Sequence, residues 1–440
     1  MPRIVIACWS FPGHLRPSLV LAKALRERGH DVAFSTGPRG RELVEKSGFR
    51  CFPYTYLDEG ALYEKMFSSE QASASVRHPV RFLSVLRYWV LETIPEQMAE
   101  LTEVLGRWPA DVLVADVTLW APFLILSDLG TVPVVVLSFA PGCMIPHKDV
   151  PPWGMGIEAP RGGLVRKLGY RCLVAFHRMS AEFFRRGANR HRKAYGLPPL
   201  AVPVNAYAGR MPLYLVPSAR ELDDPRADLP ESVHYVGPLI EKDSEQGGSL
   251  PQWFPTLRTA YPKIHVTEGT VSYQEPLLLK AAVEGFAGEP FEVIITTGRQ
   301  MKVDFLSPAR LPPNIHVETF IPHELLMPHI DCLVSTAGAG TVLTALRHGV
   351  PMVLAPTEWD KPDNARHVKK VGAGMVVPYR HCKGGDLRKA VGEVLADPRF
   401  RESARRMQGV LAGYRGAQEA AELIENLCCA RSTMSSVCRP

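Results

Sequence analysis

Two hydrophobic rhythms alternate along the chain. Short β-branched runs, RIVIACWS (3–10), DVAFST (31–36), DVLVAD (111–116) and VPVVVLS (132–138), read as strands buried on both faces. Between the first two lies a segment with a 3.6-residue period. In PSLVLAKALRERGH (17–30), Val20, Leu21, Ala24 and Leu25 share one face, Pro17 stands in the first turn and Gly29 stops the helix. This alternation predicts a parallel sheet covered by helices on both sides. The stretch 146–208 is less regular: helical, aromatic and basic. Strands resume at LYLVPS (213–218) and VHYVGPL (233–239).

A polar segment with paired glycines, IEKDSEQGGSLPQW (240–253), then reads as a linker. Beyond it the alternation restarts: IHVTEGT (264–270), a helix near 276–286, EVIITTG (292–298), NIHVETF (314–320), DCLVST (331–336), a helix from about Thr341, PMVLAP (351–356), another helix and GMVVP (374–378). The last helical region covers about 398–426. The predicted organisation is a first α/β domain over 1–240, a linker over 241–255 and a second α/β domain over 256–400. A helix at 401–427 returns to the first domain, and a disordered tail occupies 428–440. Two doubly wound units in tandem leave a cleft between them, and ligands of such sheets bind beyond the carboxyl ends of the strands.

Composition narrows the function classes. The 440 residues are 46% hydrophobic and 22% charged with a net charge of +6, which fits an anionic small ligand or no special partner at all and falls short of a dedicated nucleic-acid binder. No run reaches the ~18 apolar residues of a membrane span. The N-terminus is apolar only over 4–9, which predicts a first strand and no secretory signal. The nine cysteines include no C-x-x-C and no zinc-type spacing, so reduced thiols in a cytoplasm are expected.

The candidate chemistry starts at DCLVSTAGAGTVLTALRHGV (331–350): strand, glycine-rich turn, helix. Gly338 and Gly340 let backbone N–H groups approach a ligand, Thr341 can cap or donate, and the helix N-terminus attracts an anion such as a diphosphate. A bare strand–helix turn would look the same. TEWDKPDNA (357–365) then supplies Glu358, Asp360, Lys361, Asp363 and Asn364 at the end of the next strand, where a sugar's hydroxyls could be gripped. There is no Gly-Lys-Ser/Thr loop, no G-x-G-x-x-G after the first strand and no D-x-D, so no carboxylate-held metal is signalled. A helix dipole would take the metal's place.

These residues resemble the nucleotide-sugar-dependent glycosyltransferases of the GT-B architecture, two Rossmann-like domains facing an interdomain cleft, and within them the UDP-glycosyltransferase family with its bacterial natural-product members. GHLRPSLVLAKALRERGHDVAF (13–34), VHYVGPL, VTEGT and the long stretch from FIPHELLMPHIDCLVST to KKVGAG (320–374) carry the likeness. It implies an enzyme that inverts configuration while moving a sugar from a UDP- or dTDP-linked donor to a hydroxyl of a small hydrophobic acceptor, such as a polyketide, macrolide or phenolic compound. It implies no cofactor and no metal. His14 becomes the general base and Asp116 its orienting partner. The donor residues become Gly269, Thr270, Phe320 (stacking on the pyrimidine), Ile321, Thr336, Ala337, Gly338, Ala339, Gly340, Thr341, Asp360 and Lys361.

Three positions depart from the family pattern: Thr336 stands for its His, Thr344 for its Glu, and Asp360-Lys361 for its Asp-Gln. His323 replaces a Gln, and His329 is either a polar contact or a cap. Large apolar residues outside the strands, among them Phe82, Trp89 and Trp153, divide between core and acceptor pocket; Phe11, Trp120, Phe139 and Met144 are assigned to the acceptor. The basic run 161–193 has Glu182 as its only acid and reads as a solvated helix face in preference to a membrane-binding one. Two other readings stay open on sequence: an inactive homologue that binds or activates a partner, and a sugar epimerase, which would need no aglycone pocket.

Overall fold

The computed structural model describes residues 1–67, 79–140, 144–148, 150–160, 162–241, 249–269, 276–298, 306 and 311–437. The first lobe holds a parallel sheet of β1 (Arg3–Ala7), β2 (Asp31–Thr36), β3 (Arg50–Pro53), β4 (Val112–Asp116), β5 (Val134–Leu137), β6 (Leu213–Val216) and β7 (Val233–Tyr235), in the order β3-β2-β1-β4-β5-β6-β7. The second lobe holds β8 (Lys263–Thr267), β9 (Glu292–Thr296), β10 (Ile315–Glu318), β11 (Cys332–Ser335), β12 (Met352–Leu354) and β13 (Gly374–Val376), in the order β10-β9-β8-β11-β12-β13. Alternate residues of β1 enter opposite cores: Val5 and Ala7 join Leu113, Ala115, Val134 and Val136, while Ile4 and Ile6 join Val112, Val114, Val135 and Leu137. That two-sided burial is why these strands are continuous apolar runs.

Strand order reverses once in each sheet, between β1 and β4 and between β8 and β11. The loops leaving those strands diverge there and open a crevice. Residues after β1 and at the end of β4 therefore meet, as do residues after β8 and after β11.

Several elements differ from expectation. The first helix is Pro12–Glu27, not a helix opened by Pro17. Pro12 occupies the first turn and Pro17 lies inside, where its missing N–H leaves the Gly13 carbonyl without its i+4 donor. His14 is consequently a first-turn residue of a helix, not a loop residue. The end of the chain is two helices: Pro398–Ala412 packs Ala404, Met407 and Leu411 on the second lobe, and Ala417–Val437 packs Ala420, Ala421 and Ile424 on the first. The crossing lies at 413–416, not near 400. Gly416 (φ 58°) donates its N–H to the Val236 carbonyl at 2.7 Å, and a Cβ there would crowd the Pro238 carbonyl. Helix also continues through 428–437, where a disordered tail was expected. Residues 242–248 of the expected linker lie outside the described residues; Phe254, near its end, is buried in the second lobe's core.

The basic run forms a 31-residue helix, Leu164–Ala194, whose first half exposes Leu164, Leu168 and Met179. Among the described residues, no helix is long and apolar enough to cross a membrane.

Candidate active site

His14, in the first turn of the helix that follows β1, and Asp116, at the end of β4, flank the first lobe's reversal, and they meet. The imidazole Nδ1 lies 2.6 Å from Asp116 Oδ2. Asp116 is fully buried, and its other oxygen accepts from the Thr118 N–H at 2.8 Å and the Thr118 hydroxyl at 2.7 Å. Thr118 Oγ1 in turn accepts from the Trp9 indole at 3.0 Å. The carboxylate is thus fixed, and it fixes the ring, leaving Nε2 as the nitrogen that can take a proton. Burial, the largest single influence, lowers the His14 pKa. The Asp116 charge and hydrogen bond, with Asp360 and Glu59 behind them, outweigh it and hold the imidazole above its ordinary value.

Two of the four residues assigned to the acceptor stand against this ring. Phe139 lies 4.8 Å from it and Phe11, edge-on, 5.8 Å. Trp120 instead packs edge-on to Phe184 of the long helix at 5.7 Å, and Met144 is buried in the same core. Sequence reading missed Glu59, which positions the loop after β1: buried, it accepts from the Ser10 N–H at 2.7 Å and from the Ser10 hydroxyl. Nothing in its surroundings along the chain singled it out.

The second lobe's reversal gathers the glycine turns. The helix after β11 is Ala339–Arg347, capped by Gly338. Its first internal bond, from the Val342 N–H to the Gly338 carbonyl at 3.0 Å, leaves the N–H groups of Ala339, Gly340 and Thr341 outside the ladder. Gly269 after β8 has φ 85°, and nothing lies within 4 Å of where a Cβ would stand on Gly269, Gly338 or Gly340. Open backbone of this kind fits a diphosphate. Thr270 lies outside the described residues. Thr336 is buried and its hydroxyl donates to the Glu268 carbonyl at 3.0 Å, so it ties the two turns together instead of offering that proton to the cleft. Ala337 is held at φ 66°, and its carbonyl accepts from Asn364 Nδ2 at 2.8 Å.

Asn364 also donates to Asp360 Oδ2 at 2.8 Å, and Lys361 Nζ donates to Thr357 Oγ1 at 3.0 Å. Burial raises the Asp360 pKa and pushes Glu358 and Glu268 up to about 7. Phe320 is half-buried with the Arg16 guanidinium of the first lobe 5.7 Å from its ring. Ile321 is 2% exposed in the second lobe's core, so only its backbone can reach a donor. His323 is half-buried, edge-on to His265 at 5.1 Å, and desolvation pushes it down to about 4; His329 packs on Phe254 at 5.2 Å. Among the described residues, Asp223, Asp224 and His367 converge as metal ligands do, but Arg366 and Lys370 already reach Asp224 at 2.7 and 2.6 Å.

Residues 284–427 match the family described as "Erythromycin biosynthesis protein CIII-like, C-terminal domain". A relative from Lentzea aerocolonigenes, named 4'-demethylrebeccamycin synthase, is 32% identical over 97% of this chain and 99% of its own. The chain belongs to the GT-B nucleotide-sugar glycosyltransferases. A second member of this glycosyltransferase family, UDP-glycosyltransferase 2 of Phaeomoniella chlamydospora, is 26% identical over 98% of this chain and 96% of its own. Among solved glycosyltransferases, that of kitacinnamycin superposes with a TM-score of 0.72 at 23% identity, covering 97% of this chain and 98% of the other. The calicheamicin glycosyltransferase CalG4 gives 0.71 at 24%, with the same coverage.

In this glycosyltransferase the two lobes share one electrostatic environment. Asp360 of the second lobe acts on His14 of the first. Asp363 accepts from the N–H groups of Gly154 and, at 2.9 Å, Gly156, clasping a first-lobe loop. Arg366 adds its bidentate contact to Asp224.

Proposed function

We propose that this glycosyltransferase takes a sugar from a pyrimidine nucleoside diphosphate, UDP- or dTDP-linked, and places it on a hydroxyl of a small hydrophobic acceptor with inversion at the anomeric carbon. The observation that carries this is the His14–Asp116 pair at the first sheet's reversal, 2.6 Å apart, with the carboxylate buried and the imidazole partly exposed. The acceptor oxygen attacks the anomeric carbon as the bond to the diphosphate oxygen breaks. Its proton passes to His14 Nε2, and Asp116 stabilises the resulting imidazolium. Negative charge grows on the departing diphosphate, where the N–H groups of Ala339, Gly340 and Thr341 and the helix behind them receive it.

Backbone groups do this without the family's histidine, so Thr336 in its place leaves the cradle usable. We take the reaction to run in the cytoplasm without a metal on the diphosphate, since the chain has no D-x-D. Phe320 is the stacking platform for the pyrimidine. Asp360 and Lys361 face the sugar.

Incubation with a panel of UDP- and dTDP-sugars and of phenolic and macrolide alcohols should give an acceptor mass gain of one sugar. His14→Ala should lower turnover by on the order of 10²–10⁴ while nucleotide binding persists. A His14→Ala enzyme with the parent rate overturns the assignment of the base.

A further inference from the structure

Trp359 stands between Glu358 and Asp360 in the loop after β12. Its φ is 66°. A bulky side chain holds that conformation only where its surroundings enforce it. The enforcing contacts come from the other lobe. The indole lies 5.0 Å from Phe82 and, edge-on, 5.3 Å from Trp89. Trp89 lies 6.4 Å from Phe11 and 6.4 Å from His14. The second lobe therefore inserts one indole into the apolar wall beside the base, one residue from the carboxylate placed on the sugar. Asp363, four residues on, holds the same segment to the other lobe by accepting from the Gly154 and Gly156 N–H groups.

Buried indoles ordinarily find a partner for their N–H. Here two do not. Trp89 is 7% exposed, and the Nε1 atoms of Trp89 and Trp359 are both buried with no hydrogen-bond partner among the described residues. A structural core gains nothing from two unmatched donors beside a general base; an acceptor that carries oxygens on a flat ring system would satisfy them.

We propose that Trp359 is a specificity-determining residue, the second-lobe wall of the acceptor site. It selects a planar aromatic acceptor whose face packs on the indole and whose carbonyl or phenol oxygens accept from the Trp359 and Trp89 N–H groups. The assignment rests on the transferase reading above and adds to it the class of acceptor. A puckered macrolactone has no π-face to offer and gains little from either indole.

Binding without donor tests this. Alizarin, a flat dihydroxyanthraquinone, and oleandolide, a macrolactone, are titrated by calorimetry into the parent and into Trp359→Phe, Trp359→Leu and Trp359→Gly. The parent should prefer alizarin. Trp359→Leu and Trp359→Gly should weaken alizarin by about tenfold or more, while oleandolide moves by less than about twofold. Trp359→Phe, which keeps a ring and loses the N–H, should fall between. Glycine accepts the left-handed backbone, so Trp359→Gly preserves the loop; should it fail to fold, Trp359→Phe and Trp359→Leu carry the test. No detectable alizarin binding by the parent, unchanged alizarin affinity in the variants, or equal losses for both probes overturns the proposal. No turnover is measured, so an error about His14 as base would leave these titrations untouched, and an error about Trp359 would leave the His14→Ala result standing.

Discussion

Asp116 does two jobs at one atom pair: it selects the imidazole tautomer and it opposes the effect of burial on His14. The sign of its contribution can be worked out. In the proposed role His14 must be neutral to accept a proton, so activity should rise as pH climbs through its pKa, which lies above the ordinary value of 6.5. With Asp116→Asn, burial is no longer outweighed by the Asp116 charge and pulls that pKa down. The acidic limb of the kcat/KM profile should shift to lower pH, and kcat should fall by on the order of 10²–10⁴ because the imidazolium loses its counter-charge. A profile with an unmoved limb would show that some other group titrates. At this scale the sequence was informative about identity and silent about partners. His14, Asp116 and the glycine turn were legible as motifs. Glu59 and Trp359 were not, because each acts through contacts made far away along the chain.

Among the elements, the helix pair Leu277–Phe286 and Gly384–Ala396 shows how little space the second lobe leaves. A Cβ on Gly285 would run into the Gly384 carbonyl, and one on Gly384 would stand 2.5 Å from the Gly285 nitrogen. Gly285→Ala should force these helices apart at a cost of roughly 1–3 kcal/mol, lowering Tm by several degrees. Gly392→Ala in the partner helix Gly384–Ala396, where nothing lies within 4 Å of the new Cβ, should instead raise stability by up to ~1 kcal/mol. Equal melting of the two variants would refute the close-approach argument. Strand positions were legible here because two-sided burial makes each strand a continuous apolar run. Helix ends were less so: Pro17 suggested a start that Pro12 supplies, and the break at 413–416 was hidden within one helical pattern.

For the whole molecule, the lobes meet, among the described residues, through polar clasps, the Arg16–Phe320 contact and the aromatic insertion of Trp359. Asp363 is 5% exposed and accepts two backbone N–H groups from the loop around Gly154 and Gly156. Asp363→Ala should release that loop at a cost of roughly 1.5–3 kcal/mol per lost charge-assisted bond. Limited proteolysis should then cut within 150–160, and KM for the acceptor should rise more than kcat falls. A loop as resistant as the parent's would mean that the clasp is not what holds it.

By itself, the chain's apolar periodicity determined two parallel α/β lobes, since buried strands and amphipathic helices leave a local imprint. Its glycine-rich turn and its Gly-His pair determined where chemistry should be sought. Only the tertiary structure decided which residues face one another. Strand order, set by long-range packing, puts β1 beside β4 and β8 beside β11, so that His14 meets Asp116 and the Gly269 turn is tied through Thr336 to the Gly338 turn. The docking of one lobe on the other brings Trp359 to Trp89, a contact between residues 270 positions apart that no local pattern encodes.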